Sequence, residues 1–250
     1  MNHSMIPYLR KFPQMFINPG TMTPKSCNRL LHLIYFLLRP VFLTVSCSHI
    51  PKIYKADFTD PAQILERCHA VFPDGDRHFV HSIEAELAGG NNAFMLGITR
   101  ISPQNRTIWA VMMTFEGMVL FDAVHNDSMV INRAIPPFNS EFFAQGLMED
   151  IRLIFFEPEE HPIEIGTLVS GESICRFHTH EEMITDVTIG QHSHVTINRY
   201  HRHRLHRSIR LYRGQTQSDP SIFQKLELIA HEPVKYKMKL NLLEAEFFNE

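Results

Sequence analysis

The 250-residue chain lacks the biased compositions of fibrous and disordered proteins. Its 11 Gly and 15 Pro exclude a collagen-like or low-complexity chain. Hydrophobic residues make up 44% and charged residues 20%, which excludes a disordered chain because such chains cannot bury enough apolar surface. The four cysteines form no CxxC pair, so nothing indicates zinc-ribbon or thioredoxin chemistry. The length corresponds to one large domain or two small ones.

Acidic residues are missing from the N-terminal region. Residues 1–47 hold five of the 24 basic side chains and none of the 27 acidic ones. The remaining chain therefore carries 19 basic and 27 acidic residues and a net charge of −8. An acidic body argues against a nucleic-acid-binding protein, which needs a basic surface to displace counterions.

Sequence motifs of common enzyme classes are also missing. The chain contains no GxSxG, HExxH, P-loop GxxxxGK[ST] or GxGxxG motif. Its carboxylates are not paired with a base in any recognisable pattern. We therefore expect a protein without catalytic residues and without a cofactor.

The N-terminal hydrophobic run is too short and too interrupted for a permanent membrane span. It covers residues 30–45 and is broken by Arg39-Pro40, whereas a spanning helix needs about 20 apolar residues. Lys25 and Arg29 precede it, as the basic region of a signal peptide precedes its apolar core. Translation starting at Met1 or at Met22 is compatible with this pattern.

The end of that run resembles a bacterial lipobox, because the small residue Ser46 directly precedes Cys47. We expect residues 1–46 to be a lipoprotein signal peptide that is cleaved before Cys47. The acylated cysteine would then anchor the protein to a membrane. The next residue, Ser48, is not the aspartate that retains many lipoproteins in the inner membrane, so the outer membrane is favoured.

Cys68 and Cys175 are the cysteines that remain in the body of the chain. In an oxidising compartment the two could form a disulfide. Two buried free thiols are equally compatible with the sequence, which leaves both states open.

The body of the chain alternates between apolar and polar residues. In the first stretch Phe79, His81, Ile83 and Ala85 share one face. Similar segments recur at a spacing of about 11 residues and are separated by polar turns, which indicates an antiparallel meander. The predicted strands are 78–87, 93–100, 107–114, 118–124, 129–135, 163–169, 174–180, 183–189, 194–200, 208–212 and 234–240. A short helix is expected within 50–70.

One convincing helix interrupts the strands at residues 140–156. Asn139 or Ser140 can cap it after Pro136-Pro137, and its apolar residues recur at helical spacing. Its charged residues, including Asp150, are predicted to lie off the apolar stripe. Because a sheet of about ten strands must curl around something, we expect this helix to fill its concavity.

The stretches Arg133–Phe138, Gly146–Phe156 and Ile209–Tyr212, together with the order of elements, resemble a known family. It is a bacterial lipoprotein family of uncharacterised function that is found near aryl-polyene biosynthesis genes. The chain is also similar, more distantly, to LolA/LolB-type lipoprotein carriers. The resemblance implies a mainly β (α+β) fold, an open curved antiparallel sheet or half-barrel of about ten strands around a central helix. Residues 47–250 would form this single domain.

The resemblance also implies a function. The protein would be a non-enzymatic lipoprotein at the periplasmic face of the outer membrane that binds or transfers a lipid, acyl or aryl-polyene molecule. Its partners would be the membrane, through its lipid anchor, the hydrophobic ligand, and envelope transport or biosynthesis proteins. Methionine and aromatic side chains suit a flexible apolar ligand. The expected cavity residues are Met112, Met118, Phe142, Phe143, Leu147, Ile151 and Phe155.

An alternative function follows from the histidines of segment 178–206. His178 and His180 stand two residues apart on a predicted strand, where both imidazoles could bind one metal ion. A metal-binding protein or enzyme of cupin type would use them, although the spacing to Gly171 and Glu181 departs from the cupin motif. The other interpretation places the His- and Arg-rich residues 199–207 on solvent-facing hairpins. There they could contact anionic lipid headgroups.

Overall fold

The computed structural model describes residues 50–55, 60–86, 90, 92–179, 182–190, 194–214 and 219–248. The predicted signal peptide 1–46 and the predicted lipid-attachment site Cys47 lie outside these residues. Within the described part of the chain, no helix is long and apolar enough to cross a membrane.

The described chain contains two helices and twelve strands. The helices are α1 (Pro61–His69) and α2 (Glu141–Phe155). The first five strands are β1 (Arg77–Glu86), β2 (Asn92–Ser102), β3 (Thr107–Met113), β4 (Val119–His125) and β5 (Met129–Ala134). The strands after α2 are β6 (Pro162–Thr167), β7 (Ser173–Thr179), β8 (Met183–Ile189), β9 (His194–His201), β10 (Arg204–Tyr212), β11 (Lys225–Ala230) and β12 (Tyr236–Phe247).

All twelve strands form one antiparallel sheet in the order β5-β4-β3-β2-β1-β12-β11-β10-β9-β8-β7-β6. Strands that follow one another in sequence are neighbours in the sheet, except β5 and β6, which form its two edges, and β1 pairs with β12 near its centre. The two edge strands, β5 and β6, are joined through α2. This is the open curved sheet with a central helix that the sequence predicted, with twelve strands rather than about ten.

Alternation of side chains explains how the sheet builds its core. In β1 the buried residues are every second one, starting at Arg77 and including Phe79 and Ile83. The inner face of α2 packs on this side of the sheet, where Phe155 stacks on Phe79 with ring centroids 4.7 Å apart. The helix thus covers the apolar face that an isolated sheet would expose.

Side-chain caps fix the start of both helices. Oγ of Ser140 accepts a hydrogen bond from the backbone N–H of Phe143 at 3.1 Å, which confirms one of the two caps predicted for α2. In α1, Oδ1 of Asp60 accepts from the backbone N–H of Ala62 at 3.0 Å. Pro61 is the first residue of α1. Proline lacks a backbone N–H, but no hydrogen bond is lost here because the first N–H of a helix has no partner within the helix.

A disulfide joins Cys68 in α1 to Cys175 in β7, with Cα atoms 6.4 Å apart. The structure thereby adopts the first of the two states that the sequence left open. Both cysteines are fully buried, and α1 packs against β6, β7 and β8. In sequence, α1 directly precedes β1. The bond instead fixes α1 to β7, which lies in the other half of the sheet.

Strand β11 is the one strand that the periodicity did not predict. Its six residues alternate in burial, with Leu226, Leu228 and Ala230 buried. Leu, Glu, Lys and Ala have high helix propensity, so this short segment carries a weak local preference for a strand. Pairing with β10 and β12 on its two sides determines its conformation.

Candidate functional site

A cavity of about 380 Å³ lies between α2 and the inner face of the sheet. Strands β1, β2, β3 and β12 form its floor, and most of the side chains around it are apolar. Cavities that bind small molecules have volumes of roughly 300–1,000 Å³ and are mostly apolar. The size and lining therefore suit a hydrophobic molecule.

Six of the seven residues expected at a cavity line this one. They are Met112, Phe142, Phe143, Leu147, Ile151 and Phe155. The seventh, Met118, is not among the lining residues and is 51% exposed. It lies in the turn between β3 and β4, where the backbone N–H of Thr114 donates to its carbonyl at 2.9 Å. Strand alternation points Met112 of β3 towards the cavity, but it does not extend to Met118 in the turn, whose side chain is exposed.

Two lining residues mark where the cavity meets the protein surface. Phe142 in the first turn of α2 is 60% exposed, and Val234 before β12 is 41% exposed. Both are large apolar side chains that an ordinary core would bury. Their exposure beside the cavity gives a hydrophobic entrance for a ligand.

Two glycines shape the cavity in different ways. A Cβ atom at Gly146 of α2 would meet no other atom within 4 Å, so this position faces open space. A Cβ atom at Gly97 of β2 would lie 2.5 Å from Cδ1 of Ile83. A side chain at Gly97 would displace the terminal methyl of Ile83, whereas Gly146 leaves space empty that a larger residue would fill.

A buried polar cluster stands in the wall of the cavity. Asp150 of α2 is 2% exposed, and its Oδ1 accepts from Nε of Arg207 at 2.8 Å. Its Oδ2 accepts a hydrogen bond from the hydroxyl of Tyr236. Arg207 also donates to the backbone carbonyls of His206 and Glu232. The cluster thus ties α2 to β10 and β12.

Burial and charge act in opposite directions on this cluster. Burial raises the pKa of the Asp150 carboxyl, while the charge of Arg207 and the hydrogen bond from Tyr236 counteract the rise. Burial also raises the pKa of Tyr236, and the nearby Asp150 carboxylate raises it further. The phenol is therefore the proton donor to Asp150 and remains neutral.

The sequence interpretation was wrong about both members of the ion pair. Asp150 was expected off the apolar stripe and Arg207 on an exposed basic hairpin, yet both are buried. Each compensates the charge of the other, which is the usual condition for burying either. A sequence signal existed for Asp150, which stands three residues after Leu147 and four before Ile154 on the inward stripe.

His81 is a further polar residue in the cavity wall that had not been predicted as a site residue. It lies on the apolar face of β1, is 2% exposed, and has the rings of Phe79 and Phe155 at 6.1 and 6.4 Å. Burial lowers the pKa of His81 to about 4. The imidazole is therefore neutral at pH 7, with one N–H donor and one acceptor nitrogen.

One group of described residues has the geometry to hold a metal ion. The potential ligand atoms of His78, Glu244 and Glu246 all lie within 4.8 Å of one another. Strand alternation places His78 on the face of β1 opposite to His81, outside the cavity. In the cupin-type alternative, His180 and Glu181 lie outside the described residues, and His178 is exposed on β7.

Comparison with known proteins supports the fold. No family model matches the chain, and no curated protein matches it. A solved LolA-superfamily protein from Nitrosomonas europaea superposes with a TM-score of 0.50 at 8% identity, covering 77% of this chain and 95% of that one. The fold is therefore LolA-like, a mainly β open sheet around a helix.

Two further solved structures superpose less well. A putative outer membrane lipoprotein-sorting protein domain from Vibrio parahaemolyticus gives a TM-score of 0.36 at 12% identity, over 74% of this chain and 91% of that one. A DUF1329 family protein from Desulfovibrio piger gives 0.44 at 12% identity, over 76% and 94%.

Proposed function

We propose that the protein is a non-enzymatic lipoprotein of the bacterial envelope that binds or hands over a hydrophobic molecule. The observation that carries this proposal is the apolar cavity between α2 and the inner face of the sheet. Burying an acyl chain contributes about 0.8 kcal/mol per CH₂ group, so a dry cavity of this size gives useful affinity. With about 380 Å³, it suits a single chain better than a whole multi-acyl lipid.

The chemistry of the cavity favours binding over catalysis. The carboxylate of Asp150 accepts from both Arg207 and Tyr236, so it is engaged in the structure rather than free to act as a base. The entrance beside Phe142 is apolar, as a path for a lipid chain should be. Candidate ligands are a lipid, its acyl chain or an aryl polyene, as the sequence resemblance implies.

The proposed location is the periplasmic face of the outer membrane, with a lipid anchor on Cys47. This follows from the lipobox-like sequence at Ser46-Cys47 and from the residue after it, Ser48. An anchored carrier keeps its cavity next to the membrane from which a ligand would enter. Its partners would be envelope transport or biosynthesis proteins that deliver or receive the ligand.

Filling the cavity at Gly146 tests the proposal. Gly146→Leu adds a branched side chain at a position where a Cβ atom would meet nothing within 4 Å, so we expect it to fold and to lose binding of the apolar fluorophore N-phenyl-1-naphthylamine. Gly146→Ala is the matched control, because it removes the helix-interior glycine but fills little space. It should keep most binding and gain about 1 kcal/mol of stability.

Equal fluorophore binding by Gly146→Leu and wild type would contradict a ligand site in this cavity. The ligand class needs a separate measurement on protein purified from its native membrane. Mass spectrometry of the organic extract should show an acyl lipid or a polyene that is depleted in Gly146→Leu. A polyene would also give the extract visible absorbance.

A further inference from the structure

His81 is buried in the cavity wall, and no described residue forms a hydrogen bond with its side chain. It is 2% exposed and lines the cavity, and the hydrogen bonds between described residues do not include its ring nitrogens. Its contacts on either side are the rings of Phe79 and Phe155, which offer no hydrogen-bond acceptor in the ring plane. Its hydrogen-bonding capacity is therefore directed at the cavity rather than at these neighbouring rings.

An unpaired buried donor or acceptor has a cost in stability, which is why more than nine in ten are paired in native proteins. A leucine or methionine at position 81 would match the other residues of this strand face, Phe79, Ile83 and Ala85, and would avoid that cost. The imidazole therefore has a hydrogen-bonding capacity that a molecule outside the described chain can satisfy. It lines the cavity, so a bound molecule can reach it.

The chemistry of that partner is restricted by the surroundings. Burial keeps the imidazole neutral, so it offers no charge to an anionic or cationic headgroup. Arg207, which carries a positive charge in the cavity lining, already donates to Asp150 and to two backbone carbonyls. A neutral imidazole can donate to a carbonyl oxygen or accept from a hydroxyl.

We propose that His81 forms a hydrogen-bonding subsite for a neutral oxygen, a hydroxyl or an ester carbonyl, carried by an otherwise apolar chain. This subsite rests on the proposed function, because it presupposes that the cavity binds a hydrophobic molecule. It adds a selectivity: the protein distinguishes oxygen-bearing chains from plain hydrocarbon chains of equal length.

Displacement of N-phenyl-1-naphthylamine from the full chain by three twelve-carbon competitors tests the subsite. The competitors are dodecane, dodecan-1-ol and methyl dodecanoate. In His81→Leu we expect affinity for the alcohol, the ester or both to fall about fivefold, the equivalent of about 1 kcal/mol for one hydrogen bond. Affinity for dodecane should change by less than twofold. The oxygen compound that loses affinity identifies the group that His81 binds.

Two further variants control for altered packing. Ser82→Ala changes the neighbouring residue on the opposite face of β1, which is not among the lining residues, and should leave all three affinities unchanged. His81→Gln keeps a donor and an acceptor and should retain the preference for the oxygen compounds. If His81→Leu does not fold, His81→Phe gives the same comparison with a planar apolar ring.

The outcomes separate the subsite from the carrier function. If the wild-type chain binds neither the fluorophore nor any competitor, the carrier proposal fails and the subsite fails with it. If all probes bind but the preference is the same in wild type and in the apolar variants, the cavity binds ligands and the subsite alone is overturned. Water would then satisfy the imidazole.

Discussion

The buried ion pair between Asp150 and Arg207 affects both the stability of the fold and the shape of the cavity, because both residues line it. Asp150 comes from the helix above the cavity, and Arg207 and Tyr236 come from the sheet below. Such a pair gains little over well-packed apolar residues, but breaking it leaves one charge uncompensated. It therefore fixes how α2 sits on the sheet more than it adds net stability.

Removing the carboxylate should show this asymmetry. Asp150→Ala leaves Arg207 buried without its partner, and we expect the free energy of unfolding to fall by about 3–5 kcal/mol in urea titrations. Glu149→Ala removes an exposed carboxylate one residue away and should change stability by less than about 0.5 kcal/mol. The double variant Asp150→Leu/Arg207→Met should recover most of the loss. Similar effects of the two alanine variants would refute the assignment.

His81 should make stability depend on pH. Its pKa is lowered to about 4 in the folded protein, against about 6.5 in an unfolded chain, so between these values the unfolded chain binds the extra proton. Stability attributable to His81 is thus lost as the pH falls from 6.5 towards 4. Between pH 7 and pH 5 we expect about 2 kcal/mol more loss in wild type than in His81→Leu.

The comparison with His81→Leu isolates this residue. His206, whose pKa is also lowered to about 4, mainly by burial, titrates in both proteins and cancels from the difference. Urea unfolding of each protein at the two pH values gives the four free energies required. Parallel losses in wild type and variant would mean that His81 is not the buried neutral imidazole described above.

At the scale of elements, local patterns predicted most of the sheet and the central helix. The period of two in β1 put Phe79, His81, Ile83 and Ala85 on the buried face, where the structure has them. Pairing of β1 with β12 could not be predicted in this way, because it joins segments some 160 residues apart through long-range contacts alone. The ion pair between Asp150 and Arg207 could not be predicted for the same reason, because its residues are 57 positions apart. The position of Met118 was predicted wrongly because side chains in turns do not follow the alternation of a strand.

The disulfide between α1 and β7 gives a prediction at this scale. It closes a loop with a sequence separation of 107, and cross-links over loops of this size contribute roughly 2–5 kcal/mol to stability. Dithiothreitol should therefore lower the urea midpoint of the wild-type chain. The double variant Cys68→Ala/Cys175→Ala should already be destabilised and should show no further response. A wild-type midpoint unaffected by dithiothreitol under conditions that expose the cysteines would contradict the bond.

At the scale of the whole molecule, the proposed function divides between two separate parts of the chain. The predicted anchor depends on the sequence around Cys47, whereas the cavity is built from α2 and strands β1, β2, β3 and β12. The first and last strands in chain order, β1 and β12, pair with each other and both contribute to the cavity floor. We therefore expect binding to require the chain from β1 to β12 and to be independent of the lipid.

This division predicts that anchoring and binding are lost independently. In bacteria fed an alkyne palmitate analogue, Cys47→Ala should lose the label that wild type carries and should leave the membrane fraction, yet the purified variant should bind N-phenyl-1-naphthylamine as wild type does. Gly146→Leu should behave in the opposite way, because it fills the cavity and leaves the signal sequence unchanged. Full labelling of Cys47→Ala would overturn the anchor alone. Loss of fluorophore binding in that variant would instead contradict the independence of anchoring and binding.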